Sequence, residues 1–494
     1  MGVMRFALPP GRSSEQDRAL ERSCIQGGPD FMPWPSHAQV LGDELIIRRT
    51  TNESGALGVL WKVSTWPTWL TSATLVEKNE PYHLLVEVLR GHIHYLRSQA
   101  QEYESSEWVF PAEQHEALQE LTRQFARLVA REAQPDRLSA LLERGLALGD
   151  ALVERFCWAK WKASAQADSR DLEALAERWG VVVWHPPATP SEEVPRFFHA
   201  LQIAFDWARI CPAPGTYDWE LTDALVSWAT RRTGPDGLIV AGPLVDCTSR
   251  HWPPWFWTLE YDQRRTCLLE FVETVVRRYA DRIRVWEVTR GLNWPQGFDL
   301  SDADALTLAA QLVAIVRRVH GALEPVLGIT QPGGEYLSRG GRILSPLVLV
   351  DSLLRYEVPV SAIHLELAVG IEPRSSYRRD SVRLSRLLDL YALLGLPIYV
   401  TVAAPAASGP DPLADDDLQA DAWQGASQEL QSHWLVNTGL VAWVKPYVRA
   451  VFVEHWCDAF AHRLPHCGLL DGRQQPRPAL RALERLLASG DFPA

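Results

Sequence analysis

Along the first hundred residues apolar and polar positions alternate in short segments, such as "DELIIRRT" (43–50) and "LGVLWKVS" (57–64). Asn52-Glu53-Ser54-Gly55 and several prolines interrupt them, so residues 1–108 are expected to form a small antiparallel β-sandwich-like, carbohydrate-binding-like domain. Beyond Pro111 the period changes. Leu118, Leu121, Phe125, Leu128 and Val129 follow helical spacing, and Pro135-Asp136 restarts a second helix through Leu138, Leu141, Leu142, Leu148, Leu152 and Phe156. Residues 109–165 are therefore expected to form a helical hairpin that links two domains.

From residue 166 to 494 short apolar runs alternate with amphipathic stretches. The strand-like runs are "GVVVW", "IAFDW", "LIVAGPLV", "IRVWEV", "PVLGI", "AIHLELAV", "PIYVTVA" and "AVFVEHW"; helical spacing lies between most of them, for example Leu268 to Tyr279 and Ala303 to His320. Eight strands that alternate with helices predict an α/β fold, a parallel (β/α)8 TIM barrel. In such a barrel ligand chemistry gathers at the carboxyl ends of the strands. That draws the eye to "RVWEVTRGLNWP" (284–295), an apolar run that stops at Arg290-Gly291.

Composition narrows the choices. With 494 residues, 47% hydrophobic and 22% charged, the chain is an ordinary globular sequence. Its formal net charge of −12 comes without long blocks of either sign, which disfavours nucleic acid as a partner. No run of about 18 apolar residues occurs and the N-terminus lacks a signal-peptide core, so a soluble, cytoplasmic protein without a membrane partner is expected. Seven scattered cysteines contain no C-x-x-C pair. No P-loop or H-E-x-x-H appears, and His251, His364, His433, His455, His462 and His466 show no metal-ligand spacing; no cofactor and no metal are expected. The 21 Trp suit core packing and, near strand ends, sugar-ring stacking.

The strand ends carry a resemblance. "FDWARICPAPGTYDWELTDALVSWA" (205–229), "AGPLVDCTSRHWPPW" (241–255) and "CGLLDGRQQPRPALRAL" (467–483) are similar to the second-strand, third-strand and closing segments of the family ten glycoside hydrolases, the xylanase-type barrels. That resemblance implies a retaining hydrolase whose fourth strand ends in an acid/base Glu and whose seventh carries a nucleophilic Glu. Here those two places hold Gly291 and Val402. Neither can protonate a leaving oxygen or attack an anomeric carbon. Of the supporting shell that the resemblance implies, Asp206, Gly242, Asp246, Cys247, Arg290, Glu366 and Ala368 stand in place of the expected residues, and Glu287 replaces an Asp.

Three functions are open at this point. The first is a catalytically inactive pseudo-xylanase that binds oligo- or polysaccharide, or a protein partner. The second is an active endo-xylanase-like glycosidase with rebuilt carboxylates at Asp206, Asp246, Glu366 and Glu454. The third is a structural scaffold that self-associates. The candidate pocket consists of Asp206, Asp246, Glu287, Arg290, Glu366, Glu454, His455, Trp456 and Asp458. Because an unpaired buried charge is costly, Arg290 is expected to pair with Asp246, Glu366 or Glu454 across the old pocket. Glu287 is expected to hold a structural hydrogen bond.

Overall fold

The computed structural model describes residues 2–28, 30–63, 65–106, 108, 111–131, 134–167, 178–187, 193–235, 237–248, 252–295 and 300–489. The junction at 168–177, where the hairpin is expected to meet the barrel, and residues 249–251, which include His251, lie outside the described residues.

Eight parallel strands close into a barrel in sequential order: Trp179–Val183, Ala200–Ile203, Ile239–Ala241, Val285–Arg290, Glu324–Ile329, Ala362–Ala368, Ile398–Ala403 and Val448–Val453. The eighth strand pairs with the first, Phe452 opposite Gly180, so no edge is left open. Their Val- and Ile-rich composition suits strands covered on both faces. Helices follow the strands from the second onward, including Glu220–Thr233, Tyr261–Tyr279, Asp302–Val319, Ser381–Ala392 and Gln428–Trp443. The chain is thus a (β/α)8 TIM barrel with additional structure before it. Among the described residues the link from first to second strand contains no helix. The expected strand "IAFDW" stops at Ile203, because Asp206 caps a short helix (Trp207–Ile210) by accepting Arg209 N–H at 3.3 Å.

Val182, Ala200, Val240, Val285, Val326, Ala362, Tyr399 and Ala450, one from each strand, fill the foot of the lumen as an apolar layer.

The N-terminal region differs from the expected sandwich in one respect. It does hold two four-stranded sheets, but residues Leu84–Ser105 form a 22-residue helix rather than β structure. Leu84, Leu85, Val88, Leu89, Ile93, Leu96, Ala100 and Tyr103 recur every three or four residues and are all buried, so the helical period was present in the chain. The helix crosses the strand Trp66–Leu75 at Gly91, where an added Cβ would come within 2.6 Å of the Thr71 and Ser72 backbone. The hairpin Ala112–Arg131 and Pro135–Ala167 forms as expected.

These elements rest on the fifth to seventh strand–helix units of the barrel. Trp69 N–H donates to the Arg378 carbonyl at 2.7 Å, Arg383 to the Thr71 carbonyl at 3.2 Å, and Ser381 N–H to Asp150 at 2.9 Å. Trp69 stacks on Tyr377, and Trp161 packs against Trp443 at 4.4 Å. Among the described residues no helix is long and apolar enough to cross a membrane.

Candidate functional site

The fourth strand builds the centre of the mouth. Strict alternation would send Glu287 and Arg290 to opposite faces, but the pairing with the fifth strand slips between Glu287 and Thr289. That irregularity re-aims the strand end. Arg290 then reaches back to Glu287 in a two-pronged bond, Nε to Oε1 at 2.8 Å and Nη2 to Oε2 at 3.0 Å. Glu287 also accepts from Gln202 Nε2 at 2.6 Å and faces His364 Nδ1 at 2.9 Å. The other ring nitrogen of His364 lies 2.7 Å from the Thr401 hydroxyl. Glu287 is wholly buried. Desolvation works against its charge, yet Arg290 and His364 outweigh it and hold the carboxyl far below its ordinary range.

Above this layer a second arginine enters from the loop after the eighth strand. Arg463 donates to Glu454 Oε1 from Nη2 at 2.8 Å and from Nε at 3.2 Å, and its Nη2 also contacts Glu366. Arg290 Nη1 lies 3.6 Å from both Glu366 Oε2 and Glu454 Oε2, and Asp246 Oδ2 stands 3.8 Å from Arg463 Nε. The four side chains form one lattice of alternating charge. Arg290 and Arg463 are each 3% exposed, Glu454 2% and Glu366 5%. Burial, the largest influence, pushes the Glu366 carboxyl up despite Arg463 and Arg290.

The expectation for Arg290 needs one correction. Its principal partner is Glu287, Glu366 and Glu454 are secondary, and Asp246 instead accepts from the Thr248 N–H at 2.8 Å and hydroxyl at 2.6 Å. Asp206 lines a cleft of about 430 Å3 with Trp184, His185, Arg209, Asp218 and Glu220, and a smaller adjoining pocket that it shares with Asp246 and Trp252. Trp456 is buried in the main hydrophobic core.

Gly291 and Val402 sit where the resemblance puts acid and nucleophile, and both places are sterically committed. Gly291 has φ +74°, and a Cβ there would stand 2.3 Å from Thr248 Cγ2. Val402 is fully buried. No carboxylate occupies either position.

Sequence reasoning missed Arg463, Gln202 and Thr401, and it gave His364 no place in the site. A usable signal existed for the first: a lumen with three glutamates requires more than one cation, and Arg463 is the only arginine between Arg449 and Arg473. The remaining candidates, His455 and Asp458, fall into a neighbouring cluster. There His455 stacks on His462 with ring centroids 4.4 Å apart, and Asp458 lies 3.9 Å from one ring and 3.8 Å from the other.

No family model and no curated protein matches this sequence. Among solved structures, the native xylanase 10B from Thermotoga maritima is 15% identical with a TM-score of 0.48, covering 65% of this chain and 98% of that one. Xylanase 10B from Thermotoga petrophila RKU-1, in complex with xylobiose, is 16% identical with a TM-score of 0.47, covering 65% and 97%. Xylanase B from Clostridium stercorarium F9 is 17% identical with a TM-score of 0.44, covering 62% and 97%. The barrel assignment rests on the closed strand order described above.

Proposed function

We propose that this chain is a glycoside hydrolase-like barrel without hydrolytic activity, a pseudo-xylanase that binds glycan rather than cleaving it. The observation that carries this reading is the Arg290–Glu366–Arg463–Glu454 lattice, in which no side chain is more than 6% exposed. Retaining hydrolysis requires one carboxyl group that reaches a leaving oxygen and another that reaches an anomeric carbon. At this mouth the glutamates are bound to guanidinium groups and shut away from water, so they support structure in place of chemistry. The sequence resemblance at 205–229, 241–255 and 467–483 supports the glycoside hydrolase-like assignment.

Sugar would meet the protein beside the lattice. The Trp184–Asp206 cleft offers an indole face, carboxylates and Arg209 around about 430 Å3, a lining that suits a polar ring.

The purified protein is expected to leave xylan and aryl-xylobioside intact at the rate of a buffer control. Turnover that disappears in Glu366→Gln or Glu454→Gln would establish a rebuilt enzyme instead. Binding is checked by calorimetry with xylo-oligosaccharides: Trp184→Ala is expected to weaken it, and equal affinity in that variant rules out the cleft.

A further inference from the structure

The loop that follows the eighth strand gathers nitrogen and oxygen donors that the Arg463 lattice does not use. His455, Asp458 and His462 are 3%, 4% and 0% exposed, and one donor atom from each lies within 4.8 Å of the others. Asp411, from the loop after the seventh strand, adds a fourth: its Oδ2 is 3.1 Å from His462 Nε2.

Two details point to a cation at this spot. His462 Nδ1 lies 2.7 Å from the Phe460 carbonyl, which can only accept, so Nδ1 carries a proton. In the neutral ring the Nε2 lone pair would then face Asp411 Oδ2 at 3.1 Å and Asp458 Oδ1 at 3.8 Å, an arrangement that repels unless positive charge lies between them. His455, beside it, has no hydrogen-bond partner of ordinary geometry for either ring nitrogen, although the side chain is almost fully buried. Native proteins seldom leave such a group unanswered.

We propose that His455, Asp458, His462 and Asp411 form a structural site for a borderline first-row dication of the Zn2+ class, which staples the loop after the eighth strand to the loop after the seventh. Two imidazoles with two carboxylates select such an ion over Mg2+ or Ca2+, which prefer all-oxygen shells. Around a tetrahedral ion with bonds of about 2.0–2.2 Å, donor atoms stand roughly 3.3 Å apart. The separations of 3.1 Å between His462 and Asp411, 3.8 Å between His462 and Asp458 and 3.9 Å between His455 and Asp458 bracket that spacing. The two rings lie 24° from parallel, so His455 must turn out of its stack to aim Nε2 at the same ion as His462. The surrounding charges are Arg477, 2.7 Å from the other Asp458 oxygen, His466, 3.4 Å from Asp411, and His185. Asp458 Oδ1 also accepts Gly468 N–H at 2.7 Å, an outer contact that orients the ligand.

The competing arrangement is a proton on His462 Nε2 alone. The whole chain, stripped with chelator, is titrated with Zn2+ by calorimetry in two buffers of different ionisation enthalpy, and bound metal is counted by mass spectrometry. The proposal expects one equivalent of Zn2+, release of a proton as the metal displaces it from His462, and a rise in melting temperature that chelator reverses. His455→Leu keeps an apolar side chain of similar size in a buried place and removes no hydrogen bond of ordinary geometry, so it should fold; it is expected to weaken Zn2+ binding by at least about tenfold. Co2+ in the wild type should give visible absorption of a nitrogen–oxygen tetrahedral site, absent in that variant. Absence of stoichiometric metal, or equal affinity in His455→Leu, would overturn the site in favour of the protonated pair.

Discussion

Glu454 and His455 are neighbours in sequence, yet their side chains enter two clusters with opposite electrostatics. Glu454 joins Glu366 between two arginines, and each carboxylate there has a guanidinium within 3.6 Å. His455 and His462 meet Asp458 and Asp411, with Arg477 held 2.7 Å from the far oxygen of Asp458, and neither ring nitrogen of His455 has a hydrogen-bond partner of ordinary geometry. Both clusters are buried, so burial does not separate them. What separates them is whether the charges are answered within the protein. Each glutamate of the arginine lattice meets a guanidinium, whereas among the described residues the Asp411 carboxylate of the histidine cluster meets only imidazoles and backbone N–H groups.

The largest expected effect tests the arginine lattice. Arg463→Ala leaves Glu366 and Glu454 with Arg290 alone, at 3.6 Å from each, and loss of a buried partner costs about 3–5 kcal/mol. The urea midpoint should fall accordingly. Adding Glu366→Gln to the same chain should recover part of the loss, because one of the stranded charges is then gone. An unchanged midpoint in Arg463→Ala would erase the distinction between the clusters.

Acid sharpens the comparison by carrying it to the seam between the N-terminal region and the barrel. His92, in the helix Leu84–Ser105, and His433, in the barrel helix Gln428–Trp443, are both pushed down to about 4, by burial first and by Arg383 or Arg378 next. Their pKa in the unfolded chain is near 6.5, so the unfolded state takes up the proton first as pH falls. Stability is therefore intact above about 6.5 and declines as pH drops toward 4, by up to about 3 kcal/mol for His92 and less for the partly enclosed His433. Denaturation midpoints between pH 7 and pH 4.5 should show this slope. His92→Leu should flatten it, and a slope unchanged by that variant places the acid-sensitive groups elsewhere.

The smallest effect concerns Gly291. Gly291→Glu must adopt a left-handed backbone and displace Thr248, a cost of about 1–3 kcal/mol. Combined with Val402→Glu it is expected to yield a less stable protein without xylanase activity, because the lattice remains. Activity near that of an ordinary xylanase would show that the lattice is no obstacle.

Much of the mouth could be inferred from residue order. Gly291 and Val402 could be named in advance because strand ends are local features, and Arg290 was expected to find a carboxylate because a buried guanidinium has few alternatives. Which carboxylate it finds was not readable. Strand periodicity placed Glu287 and Arg290 on opposite faces, and the slip in pairing with the fifth strand, which brings them together, depends on a neighbour some 40 residues away. The helix Leu84–Ser105 was readable in principle, since its apolar period lies in the chain, but the short strands before it masked its start.

The sequence by itself determined the barrel, because eight apolar runs separated by helices have few ways to bury their faces. Only the tertiary structure decided that Arg463 completes the lattice and that Asp411 faces His462 across a loop. Charges pair through space, and their partners lie 97 and 51 residues apart along the chain.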